Sequence, residues 1–108
     1  MFDLRFLPNP YNIPEVRKKT GNHEDVANYV MSLEESKEFF DMLLNMLVYL
    51  IPKYEKDGKA HLRIGIGCSG GQHRSATFVN RLHEELSKVF NYRITKFHRE
   101  IGDEKILD

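Results

Sequence analysis

Ile66-Gly67-Cys68-Ser69-Gly70-Gly71-Gln72-His73-Arg74-Ser75 joins two segments of different period. Upstream, over residues 61–67, Leu62, Ile64 and Ile66 alternate with Arg63, Gly65 and Gly67, the two-residue repeat of a strand. The glycines of that strand imply that another backbone, a helix or a ligand approaches closely. Downstream, over residues 74–90, Phe78, Leu82, Leu86 and Val89 recur at helical intervals and predict a buried helix face. The junction is therefore read as strand, glycine-rich loop, helix. Glycines there let main-chain N–H groups converge without interference from Cβ atoms. The helix start adds unpaired donors and a partial positive charge, which suit phosphate, sulfate or carboxylate. Ser69 and Ser75 contribute hydroxyls, and Arg74 can offer two parallel charge-assisted hydrogen bonds. His73 is a further cation when protonated. A plain packing turn has no need of Arg, His and two serines together.

Outward from the loop, residues 3–7 read as a first strand, ended by Pro8-Asn9-Pro10, and residues 11–21 as a loop punctuated by Pro14 and Gly21. Asn22 is the expected cap of a short helix reaching about Val30, with Glu24 and Asp25 in its first turn. A longer helix is expected from Ser32, which has capping-box spacing to Glu35, and Leu33, Phe40, Leu44, Leu47 and Ile51 follow its period. Residues 42–51 are apolar nearly all round, implying packing on several sides or cover by a partner chain. Pro52 need not end this helix, whereas Asp57-Gly58 is a turn. Residues 93–98 read as a last strand, followed by a charged tail. The order predicts an α/β fold, a small and mostly parallel sheet flanked by helices, in a single domain over residues 1–108. With so few strands, the sheet is either small or completed by an oligomer.

The bulk properties narrow the function classes. A chain of 108 residues fits one core. It carries 16 basic and 16 acidic side chains, without the basic excess of a dedicated nucleic-acid binder. The single cysteine forms no internal disulfide, which favours a reducing cytoplasm. No signal-peptide pattern opens the chain, and its most apolar run is too short to cross a bilayer.

Specific chemistries can be weighed at the same loop. The Gly-x-x-x-x-Gly-Lys-Ser/Thr order of a Walker A loop is absent, and Gly65-x-Gly67 followed by Gly70 and Gly71 has the wrong rhythm for a dinucleotide fingerprint. Cys68 and His73 supply only two metal ligands, with His61, His83 and His98 scattered, so neither metal nor cofactor is expected. Covalent catalysis is the competing reading. Cys68-x5-Arg74 followed by Ser75 looks like the phosphate loop of cysteine-dependent phosphatases, in which Cys68 would be the nucleophile, Arg74 the phosphate clamp and Ser75 the aid to the departing thiolate. Gly67 stands where that signature usually has histidine, and no aspartate declares itself as general acid.

Taken with Asp3-Leu4-Arg5-Phe6-Leu7-Pro8-Asn9-Pro10-Tyr11, the loop makes the chain resemble the C-terminal domain of the RapZ/YvcJ family over nearly its whole length. Thr20-Gly21 and His98-Arg99 also fall where that family has similar residues. The resemblance implies an N-terminal P-loop nucleotide-binding domain, absent from these residues. In the best-understood branch it also implies binding of glucosamine-6-phosphate, contact with a small RNA that is presented to a ribonuclease, and self-association. Carried across, it puts Ser69, Gly70, Gly71, His73 and Arg74 around a phosphate, Cys68 at the base of the loop and Asp3 near the sugar. The expected role is a non-catalytic sensor and adaptor. Tyr11 stands where the RapZ branch has a ligand-contacting histidine; tyrosine can stack or hydrogen-bond there but is not a cation near neutral pH. The chain ends Gly102-Asp103-Glu104-Lys105-Ile106-Leu107-Asp108, whereas the RapZ branch ends in a basic tail. Arg17-Lys18-Lys19 and Arg93, Lys96 and Arg99 are the remaining basic candidates for RNA.

Overall fold

The computed structural model describes residues 1–8, 18–58, 62–68, 73–91 and 94–96. Two short strands, β1 (Phe2–Asp3) and β2 (Ile66–Gly67), pair in parallel with Phe2 opposite Ile66 and Asp3 opposite Gly67. Between them run α1 (Glu24–Ser32) and α2 (Glu34–Lys56), and α3 (Arg74–Val89) follows β2. The α/β class and the parallel crossover thus hold, with a two-stranded sheet among the described residues. The N–H groups of Phe2 and Leu4 donate to the carbonyls of Gly65 and Gly67, both at 2.7 Å.

Leu4, Leu7, Val26, Val30, Phe40, Leu43, Leu47, Phe78, Leu82 and Leu86 form the core. Phe78 is its hub: fully buried on α3, its ring lies 5.5 Å from that of Phe40 and 6.1 Å from that of Phe39. Phe39 in turn meets Phe6 at 5.4 Å, edge to face. One aromatic cluster therefore ties α2 and α3 to the N-terminal turn.

Several sequence expectations are corrected. The first strand does not cover residues 3–7; it ends at Asp3, whose carboxylate accepts from the Arg5 N–H at 2.9 Å and bends the chain into a turn. The Leu7 N–H then closes back on the Leu4 carbonyl at 3.1 Å. Asn22 does not cap α1. His23 occupies that position without a side-chain cap, and the Asn22 amide oxygen instead accepts from Asn80 Nδ2 at 2.7 Å. Ser32 ends α1 rather than starting α2: its hydroxyl donates to the Tyr29 carbonyl at 2.7 Å, and Leu33 is the extended residue between the helices.

α2 runs through Pro52 to Lys56, and Asp57-Gly58 makes the expected turn. Gly58 takes a φ of +89°, a conformation glycine adopts without Cβ strain. Within residues 42–51 this chain covers Leu43 and Leu47 but leaves Met42 and Tyr49 each 62% exposed, so of the two expectations for this segment, packing on several sides within the chain is not met. Val89 is exposed, not part of the buried face of α3. Residues 62–65 precede β2 without strand assignment. Residues 94–96 form no strand; the Ile94 carbonyl instead pairs with His83 Nε2 at 2.9 Å, and the rest of the expected last strand lies outside the described residues. A Cβ at Gly67 would lie 3.0 Å from the end of the flexible Met1 side chain and 4.0 Å from the Phe2 carbonyl oxygen, so the backbone that approaches is that of β1.

Candidate functional site

The junction of β2 and α3 brings Cys68, His73, Arg74 and Ser75 together, while Ser69, Gly70, Gly71 and Tyr11 lie outside the described residues. Cys68 and Ser75, on either side of residues 69–72, clasp the end of β2 to the start of α3. The Cys68 thiol donates to Ser75 Oγ at 3.3 Å, and the Ser75 main-chain N–H donates to Cys68 Sγ at 3.4 Å. Sulfur thus sits against the first turn of α3, where N–H groups lack intrahelical acceptors.

Arg74, the first residue of α3, is only 3% exposed. Its Nη1 donates into a cage of main-chain carbonyls from the N-terminal turn, at 2.7 Å to Leu7, 3.2 Å to Arg5 and 3.5 Å to Leu4. That turn exists because Asp3 bends the chain, so the bend and the guanidinium are parts of one arrangement. Arg74 Nε is buried with no partner among the described residues. Sequence reasoning assigned this guanidinium to a bound anion. The structure shows that Nη1 also holds the fold.

Asp3 lies close by, exposed and chelated by Arg5. Arg5 Nε donates to both carboxylate oxygens at 3.0 and 2.9 Å, and Nη2 adds an ion pair at 2.7 Å. The side-chain hydrogen bond from Arg5, with the Arg5 main-chain N–H and the fields of Arg5 and Arg74, holds the Asp3 carboxyl below its usual range. The same pairing pushes the Arg5 guanidinium up.

His73, 6% exposed, precedes α3 and is oriented through its backbone: its carbonyl accepts from the Thr77 N–H at 3.0 Å and from Thr77 Oγ1 at 2.8 Å. Two supporting groups escaped sequence reasoning. Gly21 is seated on the first turn of α3 so tightly that a Cβ there would lie 2.5 Å from Thr77 N and 2.7 Å from the His73 carbonyl oxygen. Asn80 fixes the same contact from its other side, donating to the Gly21 carbonyl at 3.3 Å. Gly21 reads as loop punctuation and, with Thr20, as part of the family resemblance, and neither reading assigns it this contact.

A groove of about 730 Å³ lies between α1 and α3, lined among others by His23, Glu24, Asn80, His83, Glu84 and Lys96. It mixes both signs of charge and does not include Cys68, Arg74 or Ser75. No helix among the described residues is long and apolar enough to cross a membrane.

These features define a small α/β domain organised around a clasped strand-to-helix junction whose first helical residue holds the N-terminal turn. The chain belongs to the RapZ C-terminal domain family, whose profile matches residues 1–102. It is 56% identical over 103 residues to a nucleotide-binding protein of Fusobacterium nucleatum, covering 93% of this chain and 36% of that protein. A nucleotide-binding protein of Clostridioides difficile is 50% identical over 100 residues, covering 93% and 35%. One of Thermoanaerobacter pseudethanolicus is 51% identical over 104 residues, covering 96% and 36%. The chain thus spans about a third of the length of these relatives.

Proposed function

We propose that the domain binds a phosphorylated small molecule, an amino-sugar phosphate such as glucosamine-6-phosphate, at the β2–α3 junction and acts as a regulatory adaptor. The observation that carries this reading is the Nε of buried Arg74 at the start of α3, which has no partner among the described residues. A buried donor without an acceptor costs about 1–3 kcal/mol, and an anion at the helix start supplies one. The Cys68–Ser75 clasp supports the reading by holding the ends of the intervening loop together. Ser69, Gly70, Gly71 and His73 complete the phosphate site in this proposal, with Asp3 and Tyr11 toward the sugar. The relatives are named nucleotide-binding proteins, and we assign that property to an N-terminal P-loop domain, since residues 1–108 lack a Walker A sequence. RNA is a further proposed partner, and the cytoplasm the proposed location.

Thermal unfolding with inorganic phosphate, glucosamine-6-phosphate and unphosphorylated glucosamine tests the site. A ligand at 100 times its Kd adds about 2.7 kcal/mol of stability. A rise with the sugar phosphate and none with glucosamine is expected; no rise with any phosphorylated compound overturns the proposal. Gel-shift titrations with RNA at several salt concentrations test the adaptor role separately.

A second reading, a cysteine-dependent phosphatase, is favoured by one contact, the Cys68 thiol at 3.3 Å from Ser75 Oγ. Cys68→Ser decides between them: it spares binding in a sensor and removes all phosphate-ester turnover in a phosphatase.

A further inference from the structure

The two-stranded sheet has one covered face and one bare face. Phe2 and Ile66 pair with each other and both pack against the core, Phe2 with its ring centroid 6.5 Å from that of Phe39. Side chains alternate along a strand and paired residues point the same way, so Met1, Asp3, Gly65 and Gly67 share the opposite face. Among the described residues, the nearest side chain to a Cβ built there is that of Met1, 3.4 Å from one at Gly65 and 3.0 Å from one at Gly67. Met1 is itself 96% exposed. The bare face is thus a glycine floor under one flexible, solvated side chain.

Its position is informative. Asp3 and Gly67 are paired and each ends its strand, so together they form the carboxyl edge of the sheet, immediately before Cys68. In parallel α/β sheets ligands are held outside that edge. Asp3 and its partner Arg5 are both exposed beside it, a carboxylate that accepts from hydroxyl or ammonium groups and a guanidinium that donates to hydroxyls. Such a rim suits a polyhydroxylated or amino-bearing ring. We infer that Gly67 admits the sugar: the ring of the phosphorylated ligand lies on the bare face over Gly67, beside Asp3, with the Met1 side chain moved aside. The inference rests on the anion site proposed above and adds the place of the organic group. Asp3 supplies the polar contact, and the missing Cβ of Gly67 supplies the room to reach it.

Isothermal calorimetry of the 108-residue chain with inorganic phosphate and with glucosamine-6-phosphate tests it. Gly67→Ala puts a methyl group under the ring, and within the protein that methyl meets only the yielding end of Met1 closely. The variant is expected to bind the sugar phosphate about tenfold or more weakly, and inorganic phosphate within about twofold of wild type. Gly65→Ala, about 7 Å farther from the edge, is expected to leave both constants unchanged. Circular dichroism verifies each fold. In the wild-type chain, with no substitution, NOE cross-peaks are expected from the sugar ring protons to the Gly67 α-protons. A folded Gly67→Ala variant that keeps the wild-type constant for the sugar phosphate, or that loses both ligands equally, overturns the inference and leaves the anion site standing. So does sugar-phosphate binding without those cross-peaks, or binding of phosphate alone. A wild-type chain that binds neither ligand overturns both proposals.

Discussion

Replacing Arg74 with methionine keeps an apolar stem of similar length and removes every donor that Nη1 gives to the N-terminal turn. The Leu7 carbonyl loses a bond of 2.7 Å and the Arg5 carbonyl one of 3.2 Å, while the 3.5 Å approach to Leu4 contributes least. Two charge-assisted hydrogen bonds are worth about 1.5–3 kcal/mol each in isolation. Against that, methionine relieves the desolvation of a buried guanidinium and removes the Nε that has no partner among the described residues, so part of the loss is returned. The balance is a destabilisation of about 2–4 kcal/mol. For a domain of this size that corresponds to a melting temperature lower by about 10–25 °C. Urea unfolding followed by far-ultraviolet circular dichroism measures it, with the midpoint falling at unchanged slope. A loss under about 0.5 kcal/mol, the scatter of ordinary surface changes, would refute the carbonyl cage as a structural element. The same numbers bear on the anion site. Arg74→Ala removes a fold contact as well as a ligand contact, so lost binding in that variant must be compared with its lost stability.

Gly21→Ala places a methyl group against the backbone of α3, 2.5 Å from Thr77 N, and backbone cannot yield as a side-chain tip can. A destabilisation of about 1–3 kcal/mol in urea is expected, and a neutral result would show that the two segments are not in contact. For Asp3, whose carboxyl is held below the ordinary aspartate value by its hydrogen bonds from Arg5, the contribution to stability is present above that ordinary value and is lost as pH falls through the lower folded one. Stability curves of wild type and Asp3→Asn should therefore separate above about pH 4 and converge in stronger acid. The separation should shrink with added salt because the pair is exposed; a gap that widens on acidification would contradict the assignment.

The α3 helix was legible because one apolar period, Phe78-Leu82-Leu86, runs along its buried face beyond the polar first turn of Arg74, Ser75 and Thr77. Strand limits and caps were less legible, and for one physical reason. Short polar side chains have several partners available, and tertiary structure chooses among them. Asp3 turns the chain instead of extending it, Asn22 pairs with Asn80 instead of capping α1, and Ser32 closes α1 instead of opening α2. At the site, the nearness of Cys68 and Ser75 was anticipated only by the phosphatase-like spacing, which pairs the thiol with that hydroxyl. The cage around Arg74 was not, because its carbonyls come from residues about 70 positions earlier and carbonyls leave no mark in a sequence.

That cage also changes how an anion would be held. With Nη1 committed to the turn, Arg74 is foremost a positioning residue, tying the segment after Asp3 to the start of α3. In the proposed site, more of the phosphate contact then falls to main-chain N–H groups of the loop and first helical turn, which glycine keeps open to close approach. Main-chain donors recognise phosphate but not the sugar that carries it. In the proposed site discrimination must come from side chains, and the proposal puts Asp3, on the turn that Arg74 secures, toward the sugar. Affinity in such a site tracks whatever fixes the backbone: the Cys68–Ser75 clasp, the Gly21 seat and the carbonyl cage. Selectivity tracks the exposed polar groups. Substitutions at Gly21 should therefore weaken inorganic phosphate and sugar phosphate alike, whereas those at Asp3 should change the ratio between them.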